Sequence, residues 1–218
     1  MSTAPRPRSV SPRFSPLVGA VHGAAAGLVY WIAAQIWPAS IAVVLALVTS
    51  LWLSNRSRDT PTPPDDPSGR LKAAGASAPA QVLGVLLKYA ALMALTSVKL
   101  PYALPPNVSL GFVLVAGHAV SRALAVSVLA APMRRSGRPV AAADLAAALA
   151  FGAAPAALIG IPGLTGIAAA LTARIACGAH VWRAGLRTSS RPALEAEPIR
   201  QLTEVVFYLG ALAARAYV

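Results

Sequence analysis

Seven apolar runs, separated by prolines, glycines and clusters of basic residues, divide this chain along its length, and few folds accommodate that pattern. The runs occupy residues 17–37, 39–53, 80–98, 110–131, 141–159, 164–179 and 202–218. A helix crosses about 30 Å of hydrocarbon in roughly 20 residues. The first, third, fourth and fifth runs meet that length unaided. The second, sixth and seventh must borrow flanking residues or cross a thinned bilayer. The expectation is an all-α, polytopic membrane helical bundle with about seven transmembrane helices, formed by residues 1–218 as a single integral membrane domain.

Composition supports that expectation. Charged residues make up only 12% of the chain against 56% hydrophobic, whereas about a quarter of a soluble domain is charged. Lipid in place of water removes the need for a polar shell. The formal net charge of +12 does not point to nucleic acid. Most Lys and Arg lie between apolar runs rather than along one amphipathic face, and no recognition motif accompanies them. The single cysteine, Cys177, lies inside an apolar run and permits neither an intramolecular disulfide nor a cysteine metal cluster. Arg6, Arg8 and Arg13 precede the first run in the manner of a signal peptide. That run is too long for a signal core and lacks a clear cleavage site, so it reads as a retained first span.

The connections fall into two kinds. Trp37-Pro38 and Gly160-Ile161-Pro162-Gly163 are tight uncharged turns, as helical hairpins require. Polar segments cover 54–79, 132–140 and 180–201. The first, containing Thr60-Pro61-Thr62-Pro63-Pro64-Asp65-Asp66-Pro67, reads as a mobile cytoplasmic loop. With seven spans, the N-terminus and these three segments share one side. Fourteen Lys and Arg fall on that side, against Lys99 and Arg215 on the other. The positive-inside rule makes the basic side, and the N-terminus, cytoplasmic. Trp37, Tyr102 and Tyr217 at one boundary, and Trp52 and Trp182 at the other, fit interfacial belts. Gly19, Gly23 and Gly27 give the first span a smooth face for close helix packing.

Lys88, His118, Arg122 and Arg174 lie within the spans, with His22 and Ser121 similarly placed. A cation at the bilayer centre costs about 2.5–3.5 kcal/mol on insertion scales, so it faces the bundle interior or snorkels to the headgroups. Arg174, near the cytoplasmic end of its span, is expected to snorkel. His118 and Arg122, four apart, share a helix face and could line a pocket for an anionic ligand. The histidines lack metal-ligand spacing. Asp144 and Glu204, near the starts of their spans, read as interfacial. The sequence holds no phosphate loop, zinc-binding HExxH pair or serine nucleophile elbow, and its residues alone assign no catalytic group.

Five short segments, Pro16-Leu17-Val18-Gly19, Leu45-Ala46-Leu47-Val48-Thr49, Leu86-Leu87-Lys88, Ala119-Val120-Ser121-Arg122 and Glu204-Val205-Val206-Phe207, together resemble the cobalamin synthase family, the adenosylcobinamide-GDP ribazoletransferases of vitamin B12 assembly. Pro16-Leu17-Val18-Gly19 resembles the family's FPLVG opening, and Leu45-Ala46-Leu47-Val48-Thr49 the approach to its acidic motif. Leu86-Leu87-Lys88 resembles its lysine-bearing span, Ala119-Val120-Ser121-Arg122 its SR-containing span, and Glu204-Val205-Val206-Phe207 its final one. The resemblance implies an enzyme of the bacterial inner membrane that joins α-ribazole to GDP-activated cobinamide, releasing GMP, with Mg2+. It implies corrinoid and nucleotide substrates, with Lys88, Ser121 and Arg122 in substrate binding. Homo-oligomers or other cobalamin-assembly proteins are the implied protein partners, and membrane lipid surrounds the chain.

The family's magnesium carboxylates lie in an HxDGxxDxxDG-type loop after the second span. In this chain Leu53 stands for the histidine, Asn55 for the first Asp and Thr62 for the third, while Asp59 matches the middle one. The later DSRIG-type and TGD segments are replaced by Lys72-Ala73-Ala74-Gly75-Ala76 and Arg191-Pro192-Ala193-Leu194-Glu195. Asp59, Asp65 and Asp66 are therefore the candidate metal ligands. Two further readings are a catalytically inactive paralogue, acting as membrane scaffold or corrinoid-binding partner, and an unrelated transporter component.

Overall fold

The computed structural model describes residues 12–56, 67–97, 106–135, 140–185 and 192–214, and these are all-α. After a short 3-10 turn, Pro12–Phe14, come seven helices: α1 (Ser15–Ala33), α2 (Ala39–Arg56), α3 (Pro67–Leu95), α4 (Pro106–Arg135), α5 (Ala142–Leu158), α6 (Ile161–Gly185) and α7 (Pro192–Ala213). Four contain stretches long and apolar enough to cross a membrane: 15–33, 39–56, 108–128 and 161–179. Shorter apolar stretches cover 81–95 and 142–158.

Proline punctuates the helix starts. Pro16, Pro67, Pro106, Pro162 and Pro192 each fall in a first turn, where the missing N–H has no intrahelical acceptor to lose. Between α5 and α6 the chain reverses at Gly160, whose φ of 71° is open to glycine without a Cβ clash. The expected turns after α1 and α5 are thus present. The second and sixth helices are longer than their apolar runs, running on to Arg56 and Gly185.

One expectation needs correcting. Pro67–Pro79 is helical and forms the first part of α3, where proline and polar residues suggest an irregular loop. Pro67 opens the helix, and the Leu71–Ala80 stretch is rich in alanine, the best helix former. Residues 54–56 likewise close α2, and 57–66 lie outside the described residues.

α4 is the axis of the bundle, in contact with α1, α5, α6 and α7. Its closest neighbour is α1. Gly19 lies against the backbone of His118, Gly23 against Leu114 and Val115, and Gly27 against Gly111. A Cβ on Gly23 would stand 2.6 Å from the Leu114 carbonyl oxygen, so only glycine permits this approach. The four-residue glycine spacing is therefore a packing face, as its pattern predicts.

The distribution of side chains is inverted relative to a water-soluble bundle. Val21, Ile36, Leu158 and Ile175 are each about two-thirds exposed, while Lys88, His118, Ser121 and Glu204 are buried. Apolar surface outward and polar groups inward is the arrangement hydrocarbon solvation favours.

Candidate functional site

Helix α7 presents Glu204, Phe207, Tyr208 and Ala211 to the interior, at the i, i+3, i+4, i+7 spacing of one helix face. The Phe207 and Tyr208 rings meet edge-on with centroids 5.9 Å apart. Gly117 of α4 leaves room for the Tyr208 ring, which a Cβ there would strike. The result is a carboxylate set down in the middle of an otherwise apolar core.

Three groups from three helices converge on that carboxylate. Lys88 Nζ of α3 lies 2.9 Å from Glu204 Oε2. His118 Nδ1 of α4 lies 3.1 Å from Oε1, and Tyr208 donates to Oε1 from 3.0 Å. The far ring nitrogen of His118 meets the Ser50 hydroxyl of α2 at 2.7 Å. With Nδ1–H donated to Glu204, Nε2 accepts from Ser50 and the imidazole is satisfied on both sides. Tyr208 Oη is also 3.3 Å from His118 Nδ1, which closes the network. Among the described residues no buried side-chain nitrogen or oxygen lacks a partner. Satisfaction of this kind is what makes a buried charge pair tolerable.

Next to this network is a second, more cationic group. Arg122 Nη2 lies 2.9 Å from His22 Nδ1. A guanidinium only donates, so His22 supplies the lone pair. Arg122, Arg200, His22, Ser54 and Ser121 line a narrow recess, which His118 and Glu204 complete. The recess is collapsed, its arginine lying on its histidine. The cation it offers suits an anion, and Arg in particular suits phosphate, whose oxygens match the guanidinium fork.

The structure thus brings Ser121 and Arg122 together at the recess. Lys88 is engaged by Glu204 alongside it. Asp59, Asp65 and Asp66 lie outside the described residues. Among the described residues no group of three or more His, Cys, Asp or Glu side chains could hold a metal. The one carboxylate at the centre, Glu204, is occupied by an ammonium at 2.9 Å, and that charge repels a divalent ion. These residues do not fit magnesium. Arg174 does not simply snorkel: its Nε donates to Ser127 Oγ of α4 at 2.7 Å, and that hydroxyl donates onward to the Leu124 carbonyl. Trp52, at the Arg56 end of α2, has that guanidinium over its ring at 4.9 Å.

Glu204 is the residue that sequence reading misplaces. Its nearness to the apparent start of the seventh run suggests an interface, yet α7 begins ten residues earlier than that run, at Pro192. That extension puts Glu204 in the helix interior, 4% exposed. The signal was present in its register with Phe207 and Tyr208, and in the need of Lys88 for a counter-charge.

A helical bundle with an apolar exterior and a satisfied ionic core defines a class of membrane-type protein with a polar interior site. Within that class, residues 3–56 match the family described as CobS, cobalamin-5-phosphate synthase, bearing out the resemblance over that segment. An adenosylcobinamide-GDP ribazoletransferase from Leptothrix cholodnii is 52% identical over 44 residues. That alignment covers 20% of this chain and 17% of the relative's length. No solved structure matches the chain. The matched segment is not merely apolar, since it contains His22, Ser50 and Ser54, which contribute to the network and the recess.

Proposed function

We propose that this chain is a cobalamin synthase-like protein of the bacterial inner membrane that joins α-ribazole to adenosylcobinamide-GDP with release of GMP. Seven helices cross the bilayer, with the N-terminus cytoplasmic. The starts of α1, α3, α5 and α7 and the ends of α2, α4 and α6 then face the cytoplasm, and the recess lies in that half of the bundle. Water-soluble phosphate esters reach it from the cytoplasmic side.

The observation that carries this reading is the placement of Arg122 and Ser121 beside Arg200 in a recess to which the family-matched segment contributes His22 and Ser54. An entering phosphate displaces His22 from Arg122 and the His118 carbonyl from the Ser121 hydroxyl, and accepts from both donors. Lys88 and His118 act through Glu204, holding α3, α4 and α7 in register around the recess. Magnesium belongs to the family's chemistry, and Asp59, Asp65 and Asp66 are its candidate ligands in this chain. The described residues do not accommodate it.

A second reading is favoured by one specific feature. Asn55 and Thr62 stand where the family carries carboxylates, which suits a paralogue that binds the corrinoid nucleotide without turning it over. One experiment separates the two. Purified protein in nanodiscs is supplied with adenosylcobinamide-GDP, α-ribazole and Mg2+, and cobalamin and GMP are quantified. Equimolar formation of both supports the transferase. Saturable binding of adenosylcobinamide-GDP without either product supports the binding protein, and neither binding nor product contradicts both.

A further inference from the structure

A separate cleft of about 360 Å3 opens among α2, α3 and α7. Asn55 of α2 and Gln81 of α3 line it, and so do Leu51, four residues earlier in α2, and Val85, four residues later in α3. In the orientation proposed above, α2 runs toward the cytoplasm and α3 away from it. Four residues of helix rise about 6 Å, so on both helices the lining changes from amide to aliphatic with depth. Val82 and Leu86 also line the cleft and are exposed, which opens it sideways onto the apolar exterior of the bundle. Gln201 of α7 is already engaged within the protein. Its Oε1 lies 3.7 Å from where a Cβ on Gly84 would stand, so its side chain reaches across to α3 and serves as wall.

A glycerophospholipid has the same grading. Its ester and phosphate oxygens accept hydrogen bonds, and the amides of Asn55 and Gln81 each carry two N–H donors. Its acyl chain suits the aliphatic end, and the lateral opening leaves the rest of the lipid in the bilayer. Charge at the amide end selects the headgroup. Arg56 follows Asn55 and is exposed. Arg200 precedes Gln201 and lines the adjoining recess, which shares Ser54 with the cleft. No carboxylate lines the cleft, and Glu204 in the recess is held by Lys88. Basic groups at this depth attract anionic lipid, about fivefold in affinity for each Lys or Arg. We propose that the cleft binds one anionic glycerophospholipid, its glycerol and headgroup at the Asn55–Gln81 end and an acyl chain against Leu51, Val85 and Leu86. This site is additional to the transferase reading and takes from it only the orientation of the helices.

The test uses the full chain, delipidated in neutral detergent and titrated with dioleoylphosphatidylglycerol or dioleoylphosphatidylcholine, with bound lipid counted by native mass spectrometry. One phosphatidylglycerol is expected to bind per chain, at least about tenfold more tightly than phosphatidylcholine, as two nearby guanidinium groups imply. Arg56→Gln is expected to reduce that preference about fivefold. Gln81→Leu is expected to weaken phosphatidylglycerol about fivefold, the scale of one net hydrogen bond. Leu86→Trp fills the aliphatic end and is expected to weaken both lipids at least about tenfold. Gln81 and Leu86 are exposed, so either variant keeps the test usable if the other does not fold. Glycerol 3-phosphate, which lacks the chains, is expected not to displace the lipid. Equal affinity for the two lipids, several equivalent lipids untouched by the variants, or displacement by glycerol 3-phosphate would each overturn the site. Neither turnover nor adenosylcobinamide-GDP enters this readout, so the lipid site and the functional reading stand or fall separately.

Discussion

Replacing Glu204 by Gln removes one charge from the centre of the bundle while keeping the shape of the side chain. Lys88 then keeps its ammonium, 6% exposed, with an amide oxygen in place of the carboxylate it meets at 2.9 Å. His118, 3.1 Å away, and Tyr208 at 3.0 Å lose a charged acceptor as well. Breaking a buried ion pair by removing one partner costs about 3–5 kcal/mol, because the other charge is left uncompensated. Even the lower figure is more than about a hundredfold in the folding equilibrium. Lys88→Met in the same chain removes the orphaned charge, so the double variant is expected to recover most of that loss. SDS-titrated unfolding in mixed micelles, run on wild type, both single variants and the double, gives the coupling energy directly. We expect a coupling of at least about 2 kcal/mol, within the range seen for residues in contact. A loss below about 1 kcal/mol for Glu204→Gln, or simple additivity across the cycle, would refute the ionic core.

Gly23→Ala puts a Cβ 2.6 Å from the Leu114 carbonyl oxygen; overpacking of this kind costs about 1–3 kcal/mol, which the same micelle titration measures. Ser50→Ala takes the hydroxyl from His118 Nε2 and should cost about 1 kcal/mol, the net worth of one hydrogen bond. Arg122→Lys keeps the charge but loses the planar fork, so adenosylcobinamide-GDP binding in nanodiscs should weaken about tenfold, a charge-assisted bond being worth about 1.5–3 kcal/mol. In a Cys177→Ala background, Asn55→Cys should react with an impermeant maleimide only from the cytoplasmic side. Ile36→Cys, in the exposed turn after α1, should react only from outside, and the reverse pattern would contradict the orientation.

Much of the fold is legible because hydrocarbon imposes simple rules. Apolar length locates the helices, and proline marks their starts. The glycines at 19, 23 and 27 announce the α1–α4 contact, which the structure shows backbone to backbone. The part of α3 before Pro79 is not legible in this way. Its polar composition resembles a loop, and only the helix propensity of its alanines argues otherwise. At the site, Ser121 and Arg122 are readable as polar residues on one buried helix. Their partners are not, because His22 is 100 residues from Arg122 and Ser50 is 68 from His118. Such pairings depend on how helices pack, which no local pattern encodes. Glu204 fails for a different reason: hydropathy starts the seventh run at 202, and a carboxylate at the edge of an apolar run looks interfacial. Helical continuity from Pro192 makes the same residue central.

The most direct measurement is equilibrium dialysis of adenosylcobinamide-GDP against wild-type and Arg122→Gln protein in nanodiscs. The account predicts saturable binding at one site per chain in the wild type, weakened at least about tenfold when the guanidinium is removed. Absence of saturable binding, or identical affinity in the two proteins, would contradict it.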